Sequence, residues 1–258
     1  MRRWRKKRRI FKSKVRIKAK KRVLKEEKIT QGVSPLVEKY WLQRYDLFWR
    51  YDEGIKLDEE GWFSVTPEEI AVGHAQRCTG AGVVIDCFAG VGGNAIQFAR
   101  VCDHVVAIDI DPEKVALAMN NAKVYGVEDH IDFVVGDFFQ LAPSLKGDVL
   151  FLSPPWGGPS YKMTKKFTLD SLKPKDGHSM FQVAQKITPH IIMYLPRNVD
   201  LLEVEQLSWL SSPPLDIEIE GNTVRGHLKA ITVYFGDAAI TQLCLPQTLS
   251  GAACKVCI

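Results

Sequence analysis

Short apolar runs alternate with longer amphipathic stretches through most of the chain after residue 80. The apolar runs are five or six residues long and are predicted to be strands, at 83–87, 105–110, 131–135, 148–152 and 190–195. Strands that alternate with helices form a parallel sheet with crossover helices, so the pattern predicts an α/β fold. Two more strands, near 215–220 and 229–236, are predicted to form an antiparallel edge pair joined by a turn around Gly221-Asn222.

Helices are predicted between these runs, near 94–100, 112–125, 178–187 and 200–210. The second has the clearest limits, because Pro112 suits a first helical turn and Gly126 suits a stop. Before residue 80, Ser34-Pro35 predicts the start of a helix that ends near 52–54. Thr66-Pro67 with Glu69 predicts another that runs to about Cys78. Aromatic residues at helical spacing in the first helix are interpreted as its core rather than as RNA contacts: Trp41, Tyr45 and Trp49.

Composition narrows the class of protein. The 258 residues are 46% hydrophobic and 25% charged, which is typical of a globular protein and excludes fibrous and wholly disordered classes. The apolar runs are far shorter than the ~20 residues that span a bilayer, and the basic N-terminus lacks the apolar stretch of a secretory signal. Six cysteines without a disulfide-type arrangement favour a reducing compartment. Cys254 and Cys257 lack a second ligand pair, so no metal site is predicted.

Charge is distributed very unevenly. Residues 1–30 hold sixteen Lys or Arg against Glu26 and Glu27, a net charge of +14, whereas the whole chain carries +5. The other 228 residues therefore carry −9. An arm this basic repels itself and holds few apolar residues, so it is predicted to be disordered on its own. It is interpreted as an RNA-contacting or nuclear-import segment, with a plain solvated tail as the alternative.

A glycine-rich turn follows the first predicted strand and opens the next helix. Asp86 is followed by Gly90, Gly92 and Gly93, and glycines allow a backbone to approach a ligand closely. Asp109 ends the next strand, 19 residues after Gly90, where a carboxylate can accept both hydroxyls of a ribose. Asp111 precedes Pro112 and is interpreted as a helix cap instead. Together these residues predict a site for an adenosine-containing cofactor.

Two further motifs end predicted strands. Asp137 can reach an adenine amino group and Phe138 can pack on the ring, although Asp137 would also suit a plain turn. Ser153-Pro154-Pro155-Trp156 resembles the motif with which S-adenosylmethionine-dependent methyltransferases bind an exocyclic amine. Two prolines remove backbone donors and fix the chain, so nearby oxygens can accept from the amine while the aromatic ring stacks on its base. A proline-rich loop with a packing Trp is the alternative.

Longer segments make the resemblance specific. The segments 39–45, 54–58, 61–68, 107–112, 153–161 and 195–198 resemble trimethylguanosine synthases, and the similarity extends over about 34–237. The resemblance implies a Rossmann-like class I methyltransferase with a mostly parallel seven-stranded sheet and a small helical N-terminal extension. It also implies the transfer of two methyl groups from S-adenosyl-L-methionine to the 2-amino group of a 7-methylguanosine RNA cap. The substrates of the family are small nuclear and small nucleolar RNAs.

The same resemblance implies roles for individual residues. Ser153, the Pro154 carbonyl and Trp156 would orient and stack the base. Four residues would contact the rest of the cap: Lys39, Tyr161, Arg197 and Asn198. The cofactor would be bound by Ser64, Thr66, Asp86, Gly90, Asp109, Asn121, Asp137 and Phe138. Lys39 would otherwise be a solvated helix residue and Arg197 an ion-pair partner, and no catalytic base is predicted.

The predicted organisation is an arm at 1–30, an extension at 31–79, a methyltransferase core at 80–240 and a disordered tail at 241–258. The expected location is the nucleus, in the nucleolus or Cajal body, with the cytoplasm as a second location. A monomer is expected because nothing in the sequence suggests an obligate dimer. Ribonucleoprotein core proteins are expected partners, and no membrane binding is expected. Two other hypotheses stay open: an amino-methyltransferase of an internal adenine or guanine in RNA or DNA, and an RNA-binding scaffold without activity.

Overall fold

The computed structural model describes residues 37–239. Several predictions therefore lie outside the described residues: the basic arm, the Ser34-Pro35 helix start, and the tail with Cys254 and Cys257. The boundaries at 30, 79 and 240 stay predictions.

Seven strands form one sheet in the order β3-β2-β1-β4-β5-β7-β6. Their bounds are β1 Val83–Asp86, β2 His104–Asp109, β3 Ile131–Val135, β4 Val149–Leu152, β5 Ile191–Pro196, β6 Ile217–Val224 and β7 His227–Phe235. The first five strands pair in parallel, and β7 runs antiparallel to both β5 and β6. This arrangement confirms the predicted mostly parallel seven-stranded sheet.

Helices connect and flank the strands of the described chain. They are α1 Glu38–Trp41, α2 Arg44–Leu47, α3 Glu59–Ser64, α4 Glu68–Arg77, α5 Gly93–Phe98, α6 Pro112–Tyr125, α7 Phe138–Leu141, α8 Gly177–Gln185 and α9 Leu201–Ser208. Helix α6 has the predicted limits, with Asp111 accepting from the Glu113 N–H and Gly126 in the left-handed region at φ 68°. None of the described helices is long and apolar enough to cross a membrane.

The turn of the β6–β7 hairpin differs from the prediction. Gly221 and Asn222 lie within β6, and the two-residue turn is Arg225-Gly226, with φ of 51° and 77°. Positive φ at both central positions matches the twist of paired strands. Asn222 is buried and accepts a hydrogen bond from Thr232, which holds it in the strand.

The N-terminal extension is less regular than predicted. The first helix is broken at Gln43 into α1 and α2, and Phe48 then adopts an extended backbone. Trp41 packs against Tyr51 and Trp62, but Tyr45 is 46% exposed and Trp49 is 64% exposed. The core prediction is therefore wrong for Tyr45 and Trp49.

The prediction that Thr66 caps the next helix is also wrong. Helix α4 begins at Glu68 without a side-chain cap, while Thr66 is buried beside the cavity described below.

Both faces of the sheet are covered by apolar residues, because successive side chains on a strand point to opposite faces. One face includes Val84, Phe151 and Tyr234 and packs against the extension, and the other includes Ile85 and Leu152. The carboxyl ends of β1 to β4 meet at one edge, which is where parallel α/β sheets bind ligands.

Candidate functional site

A cavity of about 460 Å³ opens at this edge of the sheet. Its wall is formed by the ends of β1, β2, β3 and β4, by residues of the extension and by the loop after β4. Most of the predicted site residues line it: Ser64, Thr66, Asp86, Gly90, Asp109, Asp137, Phe138, Ser153, Pro154, Trp156 and Tyr161.

Asp86 is the most deeply buried acid in the cavity wall. Asp86 ends β1, its side chain is 1% exposed, and its Oδ1 has no hydrogen-bond partner among residues 37–239. The pKa of Asp86 is raised to about 7, chiefly by burial and also by the negative charge of Asp109, while hydrogen bonds from the backbone N–H groups of Phe88 and Ala95 offset part of the rise. A buried carboxylate oxygen without a partner suits a cationic ligand group such as an ammonium.

Asp109 is held by two backbone amides. The Gly90 N–H donates to Oδ2 at 2.8 Å, and the Asp111 N–H donates to Oδ1 at 3.0 Å. Each carboxylate oxygen keeps further acceptor capacity, which suits a pair of ribose hydroxyls. Gly90 has φ of 53°, and a Cβ there would meet no atom within 4 Å, so the turn leaves open space beside the carboxylate.

Asp137 and Phe138 line the cavity next to the end of β3. Asp137 also caps α7, because its Oδ1 accepts from the Phe139 N–H at 2.9 Å. Asp137 thus acts as a helix cap, and its contact with an adenine stays a prediction. The Phe138 ring lies 6.0 Å from the ring of Phe88 and is almost fully buried.

The other end of the cavity is aromatic. Ser153 and Pro154 follow β4, and Trp156 donates its indole N–H to the carbonyl oxygen of Tyr194 at 3.3 Å. The Trp156 ring centroid lies 5.2 Å from that of Tyr161 at 85°, and 5.3 Å from that of Tyr194 at 44°. The indole is thus fixed from two sides, which suits a stacking surface for a planar base.

Four predicted site residues are not part of the cavity wall: Lys39, Asn121, Arg197 and Asn198. Asn121 is buried and holds Lys56 and Val91, because its Oδ1 accepts from the Lys56 N–H while its Nδ2 donates to the carbonyls of both residues. It thus fixes the extension to the glycine-rich turn, so its predicted role in cofactor contact has no direct geometric support.

The three predicted cap residues lie nearer the surface. Lys39 is exposed on α1, and Arg197 is exposed just after β5. The charge of Arg197 partly offsets the rise that burial causes in the pKa of Tyr161. Asn198 donates to the carbonyls of Tyr161 and Thr164, at 3.3 and 2.7 Å, and so secures the loop that carries Tyr161.

Several residues that sequence reasoning did not select also line the cavity. Tyr40 and Phe63 come from the extension, Asn94 from α5 and Tyr194 from β5. Tyr40 and Phe63 lie in the segments 39–45 and 61–68, whose resemblance to the family could have identified them as site residues. Asn94 directly follows the glycine-rich turn, which was the signal at that position. Tyr194 lies within an apolar run of the sequence, and the fold alone brings it to the cavity.

Fold and site together define a Rossmann-like class I methyltransferase. A methyltransferase structure from Porphyromonas gingivalis W83 shares the fold, with a TM-score of 0.57, 14% identity, and coverage of 79% of this chain and 51% of that one. The family model described as RNA cap guanine-N2 methyltransferase matches residues 81–238. The chain belongs to this family.

Two relatives agree with this assignment. The chain is 39% identical over 222 residues to a trimethylguanosine synthase of Schizosaccharomyces pombe, covering 83% of this chain and 91% of the relative. It is 38% identical over 179 residues to a trimethylguanosine synthase of Saccharomyces cerevisiae, covering 65% of this chain and 57% of the relative. The predicted family, fold and enzyme class are thereby confirmed.

Proposed function

We propose that this methyltransferase modifies the exocyclic 2-amino group of a 7-methylguanosine RNA cap and gives the 2,2,7-trimethylguanosine cap. The observation that carries the proposal is the position of Ser153-Pro154-Pro155-Trp156 on the same cavity as Asp86 and Asp109. One cavity thus offers acceptors for an amine, a stacking surface for its base and acids suited to a cofactor. The family match supports the same reaction.

The acidic end of the cavity fits S-adenosylmethionine. Asp86 would pair with the ammonium group of the cofactor, Asp109 would accept the ribose hydroxyls, and Asp137 and Phe138 would hold the adenine. Ser64 and Thr66 would close this end from the extension. When bound, the cofactor supplies an activated methyl group on a sulfonium.

The aromatic end fits the cap. A 7-methylguanine base is cationic, so stacking on Trp156 would add a cation–π attraction of ~0.5–2 kcal/mol to ordinary stacking. Ser153 and the Pro154 carbonyl would accept from the 2-amino group and so direct its nitrogen lone pair toward the methyl group. Lys39 and Arg197 would lie along the triphosphate, and Asn198 would keep Tyr161 in place.

The reaction needs placement more than acid–base chemistry. Holding two reactants in line can lower the barrier by ~7–11 kcal/mol. The residues named above orient the amine and the cofactor, and the amine loses its proton to water after or during attack. The hypotheses of an internal-base enzyme and of an inactive scaffold are not favoured by the family match.

The biological setting is proposed from the relatives and from the arm. We infer that small nuclear and small nucleolar RNAs are the substrates, in the nucleus and within it the nucleolus or Cajal body. Ribonucleoprotein core proteins would be partners of a monomeric enzyme. The sixteen cations of residues 1–30 would bind RNA phosphates by releasing counterions.

Mass spectrometry of a 7-methylguanosine cap analogue, incubated with the protein and S-adenosylmethionine, tests the proposal. We expect a gain of two methyl groups, both on the 2-amino nitrogen by fragmentation. No gain in a protein that binds the cofactor in calorimetry would contradict the proposal, and structured RNA with internal bases would be the next substrate.

A further inference from the structure

A buried chain of hydrogen bonds runs from the cavity wall into the antiparallel edge of the sheet. Asn94 Nδ2 lies 2.8 Å from His74 Nδ1, His74 Nε2 lies 2.7 Å from Thr232 Oγ1, and Thr232 Oγ1 lies 2.6 Å from Asn222 Oδ1. All four side chains are less than a tenth exposed. Of the four, Asn94 lines the cavity, at the start of α5.

The hydrogen bonds all point the same way, from Asn94 toward Asn222. An amide Nδ2 can only donate, so His74 Nδ1 accepts and the ring proton lies on Nε2. Nε2 then donates to the Thr232 hydroxyl, which donates to Asn222. Burial lowers the pKa of His74 to about 3, which agrees with a neutral ring. Aligned hydrogen bonds polarise and strengthen one another in a low dielectric, so the orientation of Asn94 is set by the whole chain.

His74 also contacts the aromatic end of the cavity. Its ring centroid lies 5.2 Å from that of Phe151 and 5.3 Å from that of Tyr194. The backbone carbonyl oxygen of Tyr194 accepts the Trp156 indole N–H, and the Tyr194 ring packs against the indole. The buried His74 side chain therefore contacts two residues of the cavity wall, Asn94 and Tyr194.

We propose that His74 is a positioning residue for methyl transfer, which aligns the cofactor through Asn94 and the stacked base through Tyr194. This inference rests on the proposed function. A hydrocarbon side chain could fill the same space without burying four polar groups, whose desolvation is costly. The hydrogen bonds through His74 hold Asn94 in one orientation and fix the ring against which Tyr194 packs.

Thr232→Val tests the chain from a position outside the cavity. The substitution keeps the shape but removes the acceptor of His74, so the ring can turn and Asn94 loses its fixed partner. We expect kcat on the cap analogue to fall about tenfold while its KM changes less than about twofold, because alignment acts on the transition state.

Thr188→Val is the matched control. Thr188 is also buried, its hydroxyl donates to the Asp148 carbonyl at 2.9 Å, and it lies before β5, at the opposite edge from the cavity.

His74→Phe tests the same idea at the residue itself. It keeps an aromatic ring between Phe151 and Tyr194 but removes both hydrogen bonds. We expect the Kd of S-adenosylmethionine, measured by calorimetry without any cap, to rise about 3–30-fold, as the loss of one oriented polar contact would. In the wild-type protein, ¹⁵N spectra of the imidazole should show a neutral ring with the proton on Nε2 from pH 5 to 8.

Two results would overturn the inference. One is an equal kcat for Thr232→Val and Thr188→Val at matched losses of Tm, which would leave the chain a purely structural role. The other is an Nδ1 proton or a charged ring on His74. If the proposed function were wrong, the wild-type protein would bind S-adenosylmethionine without methylating the cap. The calorimetry of His74→Phe would still measure whether His74 aligns the cofactor, so the two failures are distinguishable.

Discussion

The two ends of the cavity are built in different ways. At the acidic end, Asp86 and Asp109 terminate neighbouring parallel strands, and backbone amides of the adjoining turns hold them. At the aromatic end, Trp156 and Tyr161 lie on a loop that depends on distant residues: Tyr194 for the indole and Asn198 for the loop backbone. The contacts that hold the acidic end span at most 19 residues of sequence, whereas those that hold the aromatic end span 37 or 38.

This difference predicts that the two ends can be disabled separately. Trp156→Ala should lower kcat/KM for the cap analogue by at least ~10-fold, since stacking of a base is worth ~1–3 kcal/mol and the cation–π attraction adds to it. The Kd of S-adenosylmethionine should change less than about threefold in calorimetry. Equal losses of both would mean that the indole supports the whole cavity, and Trp156→Phe, which keeps a stacking ring, should recover part of the activity.

The converse experiment uses the acidic end. Asp109→Ala removes a charged acceptor, and such hydrogen bonds are worth ~1.5–3 kcal/mol, so the Kd of S-adenosylmethionine should rise about 10–150-fold. Asp200→Ala is the matched control, because it removes the cap of α9 at a residue outside the cavity wall and should cost stability with little change in this Kd. An unchanged Kd in Asp109→Ala would refute the ribose assignment.

The basic arm extends the comparison beyond the cavity. Deleting residues 1–30 should weaken binding of a long capped RNA by about 10–100-fold at physiological salt and flatten its dependence on salt concentration. Turnover of a cap dinucleotide should stay the same, because its proposed contacts lie within the cavity and at its rim. Loss of turnover on the dinucleotide would show that the arm belongs to the folded enzyme.

A change in pH should have a smaller effect on the affinity for S-adenosylmethionine. The pKa of Asp86 is raised to about 7 by burial, so the carboxyl becomes neutral as pH falls through 7. An ammonium partner favours the charged form, and the affinity for S-adenosylmethionine should therefore fall as pH falls, by up to about tenfold per unit below 7. Asp86→Asn should bind more weakly and with a flat profile between pH 5.5 and 8, and a pH dependence retained in this variant would assign the titration to another group.

The same contrast explains how much the sequence could predict. Asp111 was correctly predicted as a helix cap, because an Asp-Pro pair is a local signal for the start of a helix. Asp109 and Asp111 both line the cavity, so the assignment of the ribose to Asp109 stays a prediction. His74 and Asn94 lie 20 residues apart, and Thr232 lies 158 residues from His74, so no local pattern connects them. Periodicity also misplaced Tyr45 and Trp49, because spacing on one helix face predicts a core only when another element covers that face.

The hairpin turn was missed for a related reason. Gly221-Asn222 has the composition of a turn, but Asn222 is held in β6 by a buried hydrogen bond with Thr232. Arg225-Gly226 takes the turn instead, with an arginine in the left-handed region. Tertiary hydrogen bonding outweighed local turn propensity at this point.

The central claim is that a cationic cap base is held on Trp156 for methylation of its amine. The most direct measurement is kcat/KM for 7-methylguanosine diphosphate against guanosine diphosphate, with the wild-type protein and with Trp156→Ala. We predict that the wild-type protein prefers the methylated nucleotide by about 2–30-fold, the size of the cation–π attraction, and that the variant loses most of this preference. Equal values for the two nucleotides in the wild-type protein would contradict the account.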